Sequence, residues 1–136
     1  MYSVKIRDSI MIAHSLPDPF FGPAQNVHGA TYVVDASFMA SALDRHNVVI
    51  DIGFAKTIVK EVLDGLRYKN LDDEPQFKGK LTTTEFVATY IHEKLSEKLQ
   101  AEPAGQCIEQ LNITLGETHD AWASYQAPVS KVPAEK

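Results

Sequence analysis

From Tyr2 to His14 apolar and polar residues alternate: Tyr2, Val4, Ile6, Ile10 and Ile12 share one parity with His14, while Ser3, Lys5, Arg7 and Ser9 share the other. Only an extended chain gathers residues of one parity on one side, so this segment predicts a half-buried strand. A second long strand is expected over Val27 to Ala40, with His28, Ala30, Tyr32, Val34, Ala36 and Phe38 on one face. Leu16 to Asn26, rich in proline, glycine and aromatics, reads as an ordered loop between them. The alternation returns over Cys107 to Glu117, where Cys107, Leu111, Ile113, Leu115 and Glu117 share a parity, and Trp122 to Gln126 reads as a last strand.

Between the two strand pairs the period changes. After a short apolar run, Val48 to Ile52, the residues Phe54, Ile58, Val62 and Leu66, with Ala55, Val59 and Leu63, fall on one face of a helix. Tyr68 to Lys80 is a polar connection. A second helix follows, with Phe86, Val87, Tyr90, Ile91, Leu95 and Leu99 as its stripe, and Pro103 to Gln106 breaks it. Thr82, three residues before Glu85, offers a capping box. The order is strand, strand, helix, helix, strand, strand. Two hairpins around a helical pair imply an α+β domain: an antiparallel four-stranded sheet with both helices on one face. Such a sheet has open edges, and pairing them between copies is one solution, so a symmetric homo-oligomer is expected.

The chain has 136 residues, which suits one domain, placed at 1–127 with a loose tail at 128–136. A formal charge of −5 argues against nucleic acid as a partner. No apolar run approaches the ~20 residues of a membrane span, and Met1 to Arg7 has no continuous apolar segment of a signal peptide. The one cysteine, Cys107, allows no intrachain disulfide, and a cytoplasmic location is expected. The sequon at Asn112 is discounted for want of a secretory signal. Cys107, within a strand, reads as a small buried residue.

Three features carry polar chemistry. His14 ends the first strand and His28 opens the second, so a hairpin brings two imidazoles together, either as metal ligands or as hydrogen-bonded pocket histidines. A third histidine two residues after His28 would share their face, but that position is Ala30. Glu117 lies on the apolar parity of its strand. It is either held by a cation or by the N–H groups of a ligand, or it is solvated at a strand end. Thr82, Thr83 and Thr84 cap a helix and also present hydroxyls and helix-start N–H groups. Arg67, Tyr68 and Lys69 read as a solvated basic cluster after the first helix. His46 and His92 read as surface residues, and His119, two after Glu117, leans toward the same pocket.

Six stretches in register resemble one family: Ile10-Met11-Ile12-Ala13-His14, Val27-His28-Gly29-Ala30-Thr31-Tyr32, Val48-Val49-Ile50-Asp51-Ile52-Gly53, Tyr68-Lys69-Asn70-Leu71-Asp72, Thr83-Thr84-Glu85 and Gly116-Glu117-Thr118. Together, over nearly the whole chain, they are similar to the 6-pyruvoyl and 6-carboxytetrahydropterin synthases. The resemblance implies the tunnelling fold, assembled as a trimer or hexamer. It implies a zinc site at His14 and His28, whose third histidine is replaced by Ala30. The family's cysteine position is Ala24, and its Asp-His pair is replaced by Arg67 and Tyr68. Glu117, Thr83 and Thr84 match the residues that hold the pterin ring. Two imidazoles alone hold zinc poorly, so no cofactor is expected, and zinc not at full occupancy. The expected function is binding of a pterin-like heterocycle without the parental zinc- and cysteine-dependent reaction. If chemistry survives, as a lyase on dihydroneopterin-type substrates, His14, His28, Tyr68 and His119 are the candidate proton carriers. The alternatives are a non-catalytic scaffold and a synthase with a reorganised site.

Overall fold

The computed structural model of the chain describes residues 1–129. Strands β1 (Tyr2–His14) and β2 (His28–Ala40) form a hairpin in unbroken register, from Tyr2 opposite Ala40 to His14 opposite His28. Strands β3 (Gln110–Thr118) and β4 (Ala121–Pro128) form a second hairpin. β2 also pairs with β3, so the sheet runs β1-β2-β3-β4 and is antiparallel throughout. Helices α1 (Ile52–Asp64) and α2 (Thr84–Ala101) cross one face, α1 over β1 and α2 over β3 and β4. The expected architecture is the observed one.

The alternating residues place the core. Ile6, Ile10 and Ile12 of β1, Tyr32, Val34, Ala36 and Phe38 of β2, and Leu111, Ile113 and Leu115 of β3 are all buried under the helices. α1 contributes Ala55, Ile58, Val59, Val62 and Leu63, at helical spacing. Its N-terminus is capped by Asp51, whose carboxylate accepts from the Phe54 N–H at 2.9 Å. Arg67 is not a solvated charge. It donates to the Ser9 carbonyl at 2.6 Å and pairs with Asp8 and Asp64, so it clips the end of α1 to β1. This also explains how Asp8 is tolerated on the core parity of β1.

α2 corrects two expectations. Its N-cap is Thr83, which accepts from the Phe86 N–H, so Thr82 and Glu85 do not form a capping box. Its buried side includes His92 and Ser96 as well as Val87, Ala88, Ile91, Leu95 and Leu99. His92 is therefore not a surface residue. Its Nε2 donates to the Ala127 carbonyl of β4 at 3.1 Å, and its ring meets Tyr125 edge-on. The helix rides over β4, which turns this side inward, while Phe86 and Tyr90 pack sideways on Phe77.

The third strand starts later than its alternation suggests. Pro103–Gly105 forms a turn of 3-10 helix and the chain turns again through Cys107, which is exposed and outside the strand. Gly105 is what permits this. A Cβ there would lie 2.6 Å from the Leu99 Cα, against the backbone of α2. Pro128, placed in the tail by its sequence, closes the β4 ladder opposite Gln110, and Val129 is buried with its N–H bonded to the Glu109 carbonyl. The rest of the expected tail lies outside the described residues. Among the described residues no helix is long and apolar enough to cross a membrane.

Candidate functional site

The polar residues singled out from the sequence converge at one end of the sheet, where β1 ends, β2 begins, β3 ends and α2 starts. His14 and His28 are opposite one another in the ladder, and their rings are 4.6 Å apart at 63°. The His28 Nδ1–H donates to the Asn26 carbonyl at 2.8 Å, which leaves Nε2 as its remaining polar atom. His14 is buried at 2 % exposure, and its Nδ1 lies 3.0 Å from the Thr82 hydroxyl. Burial holds the His14 pKa below the ordinary imidazole value, and the neighbouring His28 adds to this; Thr82, Asp72 and Glu117 pull the other way.

Thr82 is thus a site residue whose role was read locally, as a cap. Nothing in its neighbourhood in sequence signals a bond to a histidine 68 positions away. Asp72 is a second addition. Its carboxylate accepts from the Ser15 hydroxyl at 2.6 Å and the Ser15 N–H at 3.2 Å, which fixes the chain beyond His14. The same carboxylate favours a proton on His14.

Glu117 is exposed rather than buried. The β3–β4 register shifts between Gly116 and Thr118, and this irregularity opens the ladder at Glu117. Its charge reaches both His14 and Tyr32. Thr84, the first residue of α2, is 6 % exposed, and Thr83 beside it is half-buried. The end of the sheet therefore holds two carboxylates, three threonines and two imidazoles.

Two candidates stand apart. His119 is exposed in the β3–β4 turn, beyond Glu117. Tyr68 is exposed and sits at φ 60°, an uncommon setting for a residue with a side chain, held by its N–H bond to the Met11 carbonyl at 2.7 Å. The segment that follows runs beside the outer edge of β1, with the Ala13 N–H donating to the Lys69 carbonyl and a bridge to Asn70. It places Tyr68 at the sheet's margin.

A zinc centre needs three protein donors, and this site supplies two. Ala30 shares the face of His14 and His28 but offers only a methyl group, and among the described residues no cluster of three or more His, Cys, Asp or Glu could hold a metal ion. Ala24 packs by its carbonyl against the Leu16 N–H and carries no proton-transferring group. The donor set does not fit the zinc centre that the resemblance implies.

The sheet order, the two helices on one face and the polar end define a tunnelling-fold protein. Residues 3–128 match the family described as 6-pyruvoyl tetrahydropterin synthase, and the chain belongs to that family. A relative described as 6-pyruvoyl tetrahydrobiopterin synthase, from Dictyostelium discoideum, is 35% identical over 82 residues, 59% of this chain and 61% of that protein, so the match spans under two thirds of the relative. The structure of Caenorhabditis elegans 6-pyruvoyl tetrahydropterin synthase is similar at a TM-score of 0.78 and 25% identity, over 93% of this chain and 95% of that one. A Plasmodium vivax 6-pyruvoyltetrahydropterin synthase is similar in fold, with a TM-score of 0.76 at 17% identity, over 93% and 98% of the two chains.

Proposed function

We propose that this family member binds a pterin-like heterocycle at the polar end of its sheet without running the zinc- and cysteine-dependent synthase reaction. One observation carries the reading. Glu117 stands open at the β3 irregularity, while the positions for a third zinc ligand and a nucleophile hold the methyl groups of Ala30 and Ala24. A carboxylate that can accept two parallel N–H bonds suits the amino-pyrimidine edge of a pterin. Thr83 and Thr84 add hydroxyls and helix-start N–H groups at the same end of the sheet. Zinc is not a resident cofactor in this reading. The two imidazoles serve as hydrogen-bonding and proton-holding groups instead. The working form is a cytoplasmic homo-oligomer, trimer or hexamer, built by pairing the sheet edges that remain open.

A second reading is favoured by the synthase description of the Dictyostelium relative and by the contact of the His14 and His28 rings. In it a lyase reaction on a dihydroneopterin-type substrate survives, with His14, His28, Tyr68 and His119 as proton carriers. Calorimetry with neopterin tests the binding claim: wild type binds and Glu117→Ala does not. Equal heats from both, or none from wild type, remove it. Incubation with dihydroneopterin and its triphosphate then separates the two readings, since turnover without added zinc supports the second.

A further inference from the structure

A helix start is a ready seat for a phosphate, because its free N–H groups and the helix dipole both favour negative charge. The start of α2 lies at the polar end of the sheet, but its own residues already fill that role. The Thr83 hydroxyl takes the Phe86 N–H, and Glu85 stands exposed in the first turn. Asp72 is tied to Ser15, the residue after His14, by bonds of 2.6 and 3.2 Å. Glu117 is exposed at the β3 irregularity, and Asp120 follows it in the turn, where it accepts from the Thr118 hydroxyl at 2.8 Å. The field of these carboxylates reaches into the site: Asp72 and Glu117 act on His14, and Glu117 and Glu85 act on Tyr32. Among the described residues no lysine or arginine charge acts on either ring, not even that of Lys80, two residues before Thr82. Other nearby cations are engaged elsewhere, Arg67 with Asp8, Asp64 and the Ser9 carbonyl, and Lys69 with Glu74 at 3.5 Å.

We propose that this site selects a heterocycle without phosphate groups, neutral or cationic, and turns away its phosphorylated forms. The inference rests on the pterin reading and narrows its ligand class. Recognition then runs on the N–H groups of the ring and on side-chain hydroxyls, which are donors that carboxylates, threonine oxygens and imidazole nitrogens accept. A triphosphate brings acceptors and several negative charges to groups that are themselves acceptors or negative. Its repulsion from the rim is electrostatic, so it weakens as salt rises. A phosphate seat built from lysine and arginine behaves in the opposite way, losing affinity with salt.

Calorimetry with neopterin and with neopterin triphosphate, without divalent cations and at low and high salt, tests this on the full chain. The expected result at low salt is neopterin bound about tenfold or more tightly than its triphosphate, with the gap closing at high salt. Glu85→Gln removes one rim charge away from the ring-holding groups and should narrow the low-salt gap roughly two- to threefold. Triphosphate bound as tightly as neopterin, or with an affinity that falls as salt rises, overturns the proposal and leaves the pterin reading intact. A gap unchanged in Glu85→Gln overturns it too, because charge is then not its cause. Failure of wild type to bind either ligand defeats the pterin reading, and this selectivity with it.

Discussion

The His14–Thr82 bond can be broken with little change of shape by Thr82→Val. Both residues are 2 % exposed, and Nδ1 and the hydroxyl are 3.0 Å apart. Valine fills the threonine's space but leaves a buried ring nitrogen short of its side-chain partner. The penalty for an unsatisfied buried group is about 1–3 kcal/mol. The Thr82 backbone also acts on the ring and stays in place, which puts the expected loss near the lower part of that range, about 1–2 kcal/mol. For a chain of this size that lowers the melting temperature by roughly 3–8 °C. Urea titrations of wild type, Thr82→Val, His14→Leu and the double variant measure the coupling directly. The cycle should return about 1 kcal/mol or more of interaction. The pH profile supplies a second check. The His14 pKa is lowered in the fold, so below the ordinary value of 6.5 the unfolded chain takes up a proton that the native state resists, and stability falls as pH falls. His14→Leu should flatten that slope. Strict additivity of the two substitutions, with an unchanged slope in His14→Leu, would refute the reasoning that this bond anchors the site.

Ala30→His completes a three-histidine face with His14 and His28. After incubation with zinc and desalting it should retain close to one zinc per chain by elemental analysis, against clearly less for wild type; equal contents contradict the two-donor account. Gly105→Ala drives a methyl group into the Leu99 backbone and should destabilise by about 1–3 kcal/mol in chemical denaturation, a loss that Ala104→Gly does not reproduce. Arg67→Ala removes the bond to the Ser9 carbonyl and two partly exposed ion pairs, for a loss of about 1 kcal/mol once solvent screening is allowed for. An unchanged denaturation midpoint would show that Arg67 does not clip α1 to β1.

The sequence by itself determined the architecture. Alternation in Tyr2 to His14 and in His28 to Phe38 settles which side chains face the core, because a strand offers only two faces. The spacing of Ala55, Ile58, Val59, Val62 and Leu63 does the same for α1. The pairing of His14 with His28 was legible for that reason, since one hairpin register aligns both ends. What the tertiary structure alone decided concerns polar atoms and their distant partners. Thr82 looks like a cap until α2 is laid over the sheet and meets His14. His92 looks exposed until α2 is seen to ride over β4. Glu117 has the parity of a buried residue, but the register shift opens it to solvent. Cys107 keeps strand parity on paper, yet the turn through Gly105 takes it out of the sheet. Periodicity reports the average environment of a face, whereas a hydrogen bond depends on the position of one atom across the fold. Tyr32 is the sharpest case: its burial follows from alternation, and only the packing brings Thr84 to its phenol and puts it within reach of the Glu117 charge.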